Sequence, residues 1–138
     1  MGELTRFGIS LDKELLQGFD RWSKAKGYDN RSEAIRDLIR SALVREQWRQ
    51  GEEVVGVIVM VYDHHQRQLT SRLTELQHDY FHRVVASQHV HLDHDNCLEV
   101  AVVRGKASEI EELADRLKTF RGVKHCSLSA ATTGKGIV

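Results

Sequence analysis

Residues 6–11, Arg6-Phe7-Gly8-Ile9-Ser10-Leu11, alternate apolar with polar or small side chains, the period-two pattern of a strand with one buried face. Phe7, Ile9 and Leu11 are the side chains such a strand would bury; Arg6, Gly8 and Ser10 lie on its other face. Two helical patterns follow. Leu15, Leu16, Phe19 and Trp22 repeat at helical spacing up to Gly27, a residue suited to the position just past a helix C-terminus. Asn30, with Glu33 three residues on, opens a second helix, whose apolar stripe is Ala34, Ile35, Leu38, Ile39, Ala42 and Leu43. A lone strand leaves its backbone N–H and C=O groups without a ladder. This strand-helix-helix segment therefore predicts a second copy of the chain, with two strands paired across a two-fold axis.

Beyond the polar stretch Arg49-Gln50-Gly51-Glu52-Glu53 the pattern changes. Val54 to Tyr62 reads as a strand rich in β-branched residues. Leu69, Leu73, Leu76, Tyr80 and Val84 then mark a helix with one narrow apolar face. Val85 to Leu92 is a strand, Asp93-His94-Asp95-Asn96 a turn, and Cys97 to Arg104 another strand. Ile110, Leu113, Ala114 and Leu117 give a last helix, and Val123 to Ala131 a last strand. Strand-helix-strand-strand-helix-strand is the split βαβ, ferredoxin-like order. The expected organisation is thus α+β: residues 1–49 a dimeric strand-helix-helix unit, 50–53 a linker, 54–131 a ferredoxin-like βαββαβ domain, and 132–138 a loose tail.

The chain of 138 residues carries 20 basic and 20 acidic side chains, so a surface for nucleic acid has to come from local arrangement. Its longest apolar run, Val54 to Tyr62, is far short of the about 20 residues a membrane span needs. Two cysteines, Cys97 and Cys126, are too few for a disulfide framework, and no secretory signal is visible. A cytosolic protein with reduced thiols and no membrane partner is expected.

The histidines are the anomaly, with His78, His82, His89, His91 and His94 crowded into a short stretch. On a strand, His89 and His91 point to the same face, and a hairpin turn brings Cys97 back beside His91. Two imidazoles and a thiolate make a three-ligand platform for a borderline or soft divalent metal. His78 sits near the opposite side of its helix from the Leu69-Leu73-Leu76-Tyr80 stripe, so it points outward, toward another subunit, as a fourth ligand. His82, one turn on, makes a His78/His82 pair the competing metal reading. Residues alone do not choose among nickel, copper and zinc.

Tyr28-Asp29-Asn30-Arg31-Ser32-Glu33-Ala34-Ile35-Arg36-Asp37, then His89-Val90-His91, then Asn96-Cys97-Leu98-Glu99, in that order, resemble the NikR family of nickel-responsive repressors, from Arg6 to about Ser129. The resemblance implies an N-terminal ribbon-helix-helix DNA-binding domain and a C-terminal ACT-type domain that tetramerises, as a dimer of dimers, and binds nickel. It also implies a square-planar site of His89, His91 and Cys97 from one subunit and His78 from a neighbour, one Ni(II) per subunit. The expected function is nickel-dependent repression, most naturally of nickel-uptake genes, through double-stranded operator DNA.

In ribbon-helix-helix dimers the paired strands enter the major groove, which makes Arg6, Gly8 and Ser10 the candidate base readers. Gly8 departs from the family pattern, since related repressors usually carry a hydrogen-bonding side chain there. Asn30, Arg31 and Ser32, at the start of the second helix, can hold a phosphate through free backbone N–H groups. Glu33 and Asp37 stack one turn apart, where like charges repel by about 0.2–0.5 kcal/mol. Arg36 or Arg40 is the expected relief, while the resemblance raises a cation there, K(+), at the domain junction. His94 and Glu99 are candidates to orient the ligands. His64 and His65 sit where related proteins can carry accessory metal or DNA-contacting groups, but read here as an exposed loop, and Cys126 as a small sheet residue.

Two other readings compete. One is a ribbon-helix-helix regulator whose ACT-like domain senses an amino acid or another transition metal. The other is a metalloenzyme, which requires an open coordination position and a nearby base. Four protein ligands leave no such position and no nucleophile–base motif is found elsewhere, so no enzymatic activity is expected.

Overall fold

The computed structural model describes residues 2–80 and 83–138; His82, half of the competing metal pair, lies outside them. The chain forms two compact units, one running through Leu43 with Gly136–Val138, the other spanning Val44–Lys135.

In the first unit, α1 covers Lys13–Ala25 and α2 begins at Arg31. Gly27 takes φ +84° and closes α1 with paired bonds, Tyr28 N to Ser23 O and Gly27 N to Lys24 O, each 3.1 Å. That is the Schellman arrangement, which needs a left-handed residue at this position. Asn30 Oδ1 accepts the Glu33 amide at 3.0 Å, satisfying one free N–H of α2. Residues 2–12 have no regular structure, where a strand was expected over 6–11. Strand assignment needs a partner ladder, and one copy of this segment cannot supply it. Phe7 and Ile9 accordingly remain 73% and 63% exposed.

The second unit is a four-stranded antiparallel sheet of β1 (Glu53–Asp63), β2 (Val84–His91), β3 (Asn96–Lys106) and β4 (Val123–Ala130), in the order β2-β3-β1-β4. Helices α3 (Arg67–Asp79) and α4 (Ala107–Lys118) connect them. This is the ferredoxin-like topology expected from the strand and helix order. α3 is shorter than expected: it stops at Asp79, and Val84, read as its last apolar position, starts β2. A β-branched valine at a helix end fits the adjoining strand at least as well.

Val54, Ile58, Met60 and Tyr62 from β1 pack with Leu69, Leu73 and Leu76 of α3 and Ile110, Leu113 and Leu117 of α4. Both helices thus cover one face of the sheet. Val57, Val59 and Val61 of β1 and Leu98, Val100 and Val102 of β3 point to the other face, half-buried.

α2 runs on to Arg49, so its last turns, from Val44, pack with the sheet unit rather than ending the first. Trp48 Nε1 donates to Ala131 O at 2.8 Å. Residues 132–138, expected to be loose, are held: Thr132 Oγ1 bonds Gln47 Oε1 at 2.8 Å, Gln47 Nε2 donates to Lys135 O at 3.0 Å, and Arg40 Nε donates to Val138 O at 2.8 Å.

Candidate metal centre

Strand register builds this site. β2 and β3 pair His91 with Cys97 and His89 with Glu99, and β1 and β3 pair Tyr62 with Cys97. Directly opposed residues share a face, so Tyr62, His89, His91, Cys97 and Glu99 all lie on the helix-covered side. The hairpin between β2 and β3 is fixed by Asp93, whose Oδ1 accepts the amides of Asp95 and Asn96 at 2.8 and 2.9 Å, an Asx turn.

Cys97 is fully buried. Its Sγ lies 3.4 Å from His91 Nδ1 and 3.3 Å from His64 Nδ1. His64 was expected to be an idle loop residue. Its side chain is exposed, but its backbone N–H donates to Asp95 O at 2.8 Å, which ties the loop after β1 to the hairpin and turns the ring onto the sulfur. The signal was present in the sequence: His64 is two residues past Tyr62 and keeps the period-two direction of β1 just beyond its end. Among the described residues, His64, His91 and Cys97 bring one ligand atom each within 4.8 Å of one another.

His89 lies beside this group, its ring centroid 5.0 Å from that of His91. Its Nδ1 is 2.9 Å from the hydroxyl of Tyr62. Tyr62 is a residue the sequence reading did not single out. Burial first, then the charges of Glu99 and Cys97, pushes its hydroxyl up to about 12, so it stays protonated. His78 occupies the last turn of α3, exposed, and outside the group of close ligand atoms. The residue before it, Gln77, donates to Glu99 Oε1 at 2.8 Å, which anchors that turn to β3 next to His89. Glu99 itself stands opposite His89 in the β2–β3 ladder. His94 does not touch the ligands; its Nδ1 is 3.3 Å from Asp95 Oδ1, which His65 Nε2 also approaches at 3.1 Å.

Burial, reinforced by Asp93 and Glu99, raises the Cys97 thiol above its ordinary value. The metal-free sulfur is therefore protonated at neutral pH, and a metal has to displace that proton. A buried sulfur beside imidazole nitrogens is a donor set that suits nickel, copper or zinc and not the oxygen-seeking magnesium or calcium.

At the other end of the chain, Arg6, Gly8 and Ser10 are exposed. Arg31 does not project freely: its guanidinium makes a two-point contact with Asp20, 2.9 Å on each oxygen, which pins α1 to the start of α2. Asn30 is spent as the helix cap, and Ser32 O accepts from Arg36 Nε at 3.4 Å. The carboxylates of Glu33 and Asp37 are each met by an arginine, Arg36 at 2.6 Å and Arg40 at 2.9 Å. Tyr28 also donates to Asp37, at 2.8 Å. Their mutual repulsion is therefore already relieved without a bound cation. No helix among the described residues is long and apolar enough to cross a membrane.

Comparison with known proteins matches both ends of the chain to known families. Residues 55–131 match the family described as the NikR C-terminal nickel-binding domain, and residues 5–46 match ribbon-helix-helix proteins of the copG family. A provisionally named nickel-responsive regulator of Geobacter metallireducens is 56% identical over 136 residues, covering 98% of each chain. A protein of the same provisional name from Chlorobium limicola is 54% identical over 134 residues, 97% of this chain and 100% of its own. Among solved structures, an uncharacterized protein from Thermotoga maritima superposes with a TM-score of 0.53 at 14% identity, over 57% of this chain and 98% of its own. That likeness concerns the fold alone.

Proposed function

The chain belongs to the NikR family, and on that premise we propose that it is a nickel-dependent, DNA-binding transcriptional repressor, acting on genes of nickel uptake. The observation that carries the reading is the buried Cys97 sulfur with His91 Nδ1 at 3.4 Å and the His89 ring beside it, 5.0 Å from that of His91, on a domain matched to a nickel-binding family. His89, His91 and Cys97 of one subunit, with His78 of a neighbour, would hold one nickel per subunit. Nickel supplies a preference for four strong nitrogen and sulfur donors in a plane; the chain supplies their placement and the proton that Cys97 gives up.

A ligand contributed across an interface is what makes such a site regulatory. Binding then favours one quaternary arrangement over another, and DNA that prefers the same arrangement tightens metal in return. The sheet supports an assembly. Its strands β1 and β3 are apolar on both faces, as Val57, Val59, Val61, Leu98, Val100 and Val102 attest, but helices cover only one. An apolar face of this kind is an interaction surface, and packing it against its copy, with paired N-terminal strands, gives a dimer of dimers. In that ribbon Phe7, Ile9 and Leu11 turn inward, leaving Arg6, Gly8 and Ser10 to read base edges, with phosphates on the amides at the start of α2.

The test is nickel-dependent retention of promoter DNA by the full chain, beside His89→Ala and Cys97→Ala. Tight nickel binding and nickel-dependent DNA binding are expected to disappear together in both variants. Nickel-responsive DNA binding that survives both substitutions would reject the site.

A further inference from the structure

Among the described residues, the buried apolar side chains of α3 are Leu69, Leu73 and Leu76, all before His78. The turn that carries this imidazole therefore needs a hold of another kind, and Tyr80, directly after the helix, supplies one. Its N–H donates to Leu76 O at 3.1 Å, and its ring packs against the core. Two guanidinium groups lie over that ring: the Cζ of Arg83 is 5.1 Å from its centroid and that of Arg116, on α4, 5.8 Å, a placement in which the ring face attracts the cation. We propose that Arg83 is a positioning residue for the nickel site: it clamps Tyr80, and with it the last turn of α3, to α4, and so fixes where His78 presents its nitrogen to a neighbouring subunit. The proposal rests on the reading of His78 as a nickel ligand.

Arg83 is held from several sides. Its Nε donates to Glu109 Oε2 at 2.8 Å, in a pair whose arginine side chain is only 19% exposed. Glu109 lies in the first turn of α4, where a helix N-terminus favours a carboxylate, and the Arg83 guanidinium holds its carboxyl below the usual range. The backbone is fixed as well: Arg83 N–H donates to Tyr80 O at 2.8 Å, and Arg83 O accepts the Arg104 N–H of β3 at 2.6 Å. Arg116 completes the clamp and is itself paired with Glu112 at 3.0 Å. Exposed ion pairs contribute little, but this one is largely shielded and shares its cation with a ring. Only a planar guanidinium can lie on the Tyr80 face and donate from Nε at once, which a lysine cannot do.

His78 is thus bracketed. Gln77, before it, is tied to Glu99 of β3, and Tyr80, after it, to α4 through Arg83. A ligand that has to reach across an interface gains from being held beforehand, because ordering its turn at the moment of binding costs conformational entropy. Loss of the clamp therefore lowers nickel affinity through His78, whereas His89, His91 and Cys97 take their places from the β2–β3 ladder.

The experiment measures nickel affinity of the full chain by competition with a chromophoric chelator, and the thiolate-to-nickel absorption of the loaded protein, for the parent, Arg83→Met, Tyr80→Phe, His78→Ala and the double variant Arg83→Met/His78→Ala. Arg83→Met is expected to weaken nickel binding about tenfold, the lower end of what loss of a ligand-orienting group does, and to move the absorption toward that of His78→Ala. In the His78→Ala background the same substitution is expected to change affinity by less than about twofold, since the two residues act as one unit. Tyr80→Phe keeps the ring and is expected to bind as the parent does. Glu109→Gln, which leaves the packing in place, is expected to weaken binding in the same direction as Arg83→Met and guards against a variant that fails to fold. Parent-like affinity in both Arg83→Met and Glu109→Gln would overturn the proposal, as would an equal loss with and without His78, for the guanidinium would then serve the fold alone. Failure of the underlying reading looks different: His78→Ala itself would bind nickel as the parent does, and the proposal would fall with it.

Discussion

Tyr62→Phe removes one oxygen from the metal centre and nothing else. The Tyr62 hydroxyl is 2.9 Å from His89 Nδ1, in a residue 3% exposed, so water does not readily replace it. For His89 to offer Nε2 to a metal, Nδ1 has to carry the ring proton and donate it to that hydroxyl oxygen. Without it the proton has no acceptor there, and the ring loses both its preferred tautomer and its orientation. A buried neutral hydrogen bond contributes about 0.5–1.5 kcal/mol, and loss of a group that orients a metal-ligating histidine typically costs 10–100-fold in metal affinity. We therefore expect Tyr62→Phe to weaken nickel binding by roughly 10-fold or somewhat more, with at most about 1.5 kcal/mol lost in folding. A chelator-competition titration reads the first and urea unfolding of the metal-free protein reads the second. Nickel affinity within twofold of the parent would refute the reasoning, for it would mean that the Tyr62–His89 contact serves packing only.

Three further outcomes follow from the same structure. Arg6→Ala is expected to weaken operator binding by about 1–3 kcal/mol, the scale of one base contact, with nickel affinity unchanged; equilibrium DNA binding at fixed salt checks it. Gly56→Ala puts a methyl group 2.9 Å from Leu128, 3.1 Å from Ile110 and 3.2 Å from Trp48, an overpacking expected to cost about 1–3 kcal/mol in urea unfolding. The third concerns pH. Because burial raises the Cys97 thiol, the metal-free site holds a proton that nickel has to expel. Apparent nickel affinity should then rise with pH, about tenfold per unit below the thiol's own titration, as one proton leaves for each metal bound. Calorimetry in buffers of different protonation enthalpy is expected to count one proton released per nickel.

Much of this was legible in the sequence because it rests on local periodicity. The β-branched run of Val54 to Tyr62 gave β1, and Asn30 with Glu33 and Gly27 gave the boundary between α1 and α2. His89, His91 and Cys97 reach one face simply because strand side chains alternate and a hairpin reverses the chain. Pairing across the sheet was less accessible. That Tyr62 stands opposite Cys97 depends on the register of β1 against β3, a long-range relation no window of residues contains. His64 carried a local signal, its place two residues past Tyr62, but the backbone bond to Asp95 that aims its ring at the sulfur joins it to a residue far along the chain. The end of α3 was misplaced because Val84 satisfies a helical spacing and a strand preference equally well. The strand over residues 6–11 is a different case. Its pattern is plain, but its hydrogen bonds belong to an assembly of two chains. The tail showed no pattern at all, and only the polar groups of Arg40, Gln47 and Trp48 reveal why it is held.

The most direct test of the central claim is a nickel titration of the metal-free protein followed by ultraviolet-visible absorption, with Cys97→Ala alongside. The account predicts a near-ultraviolet thiolate-to-nickel band that saturates at one nickel per chain and is absent from the variant. A spectrum that nickel leaves unchanged, or a band that persists without Cys97, would contradict it.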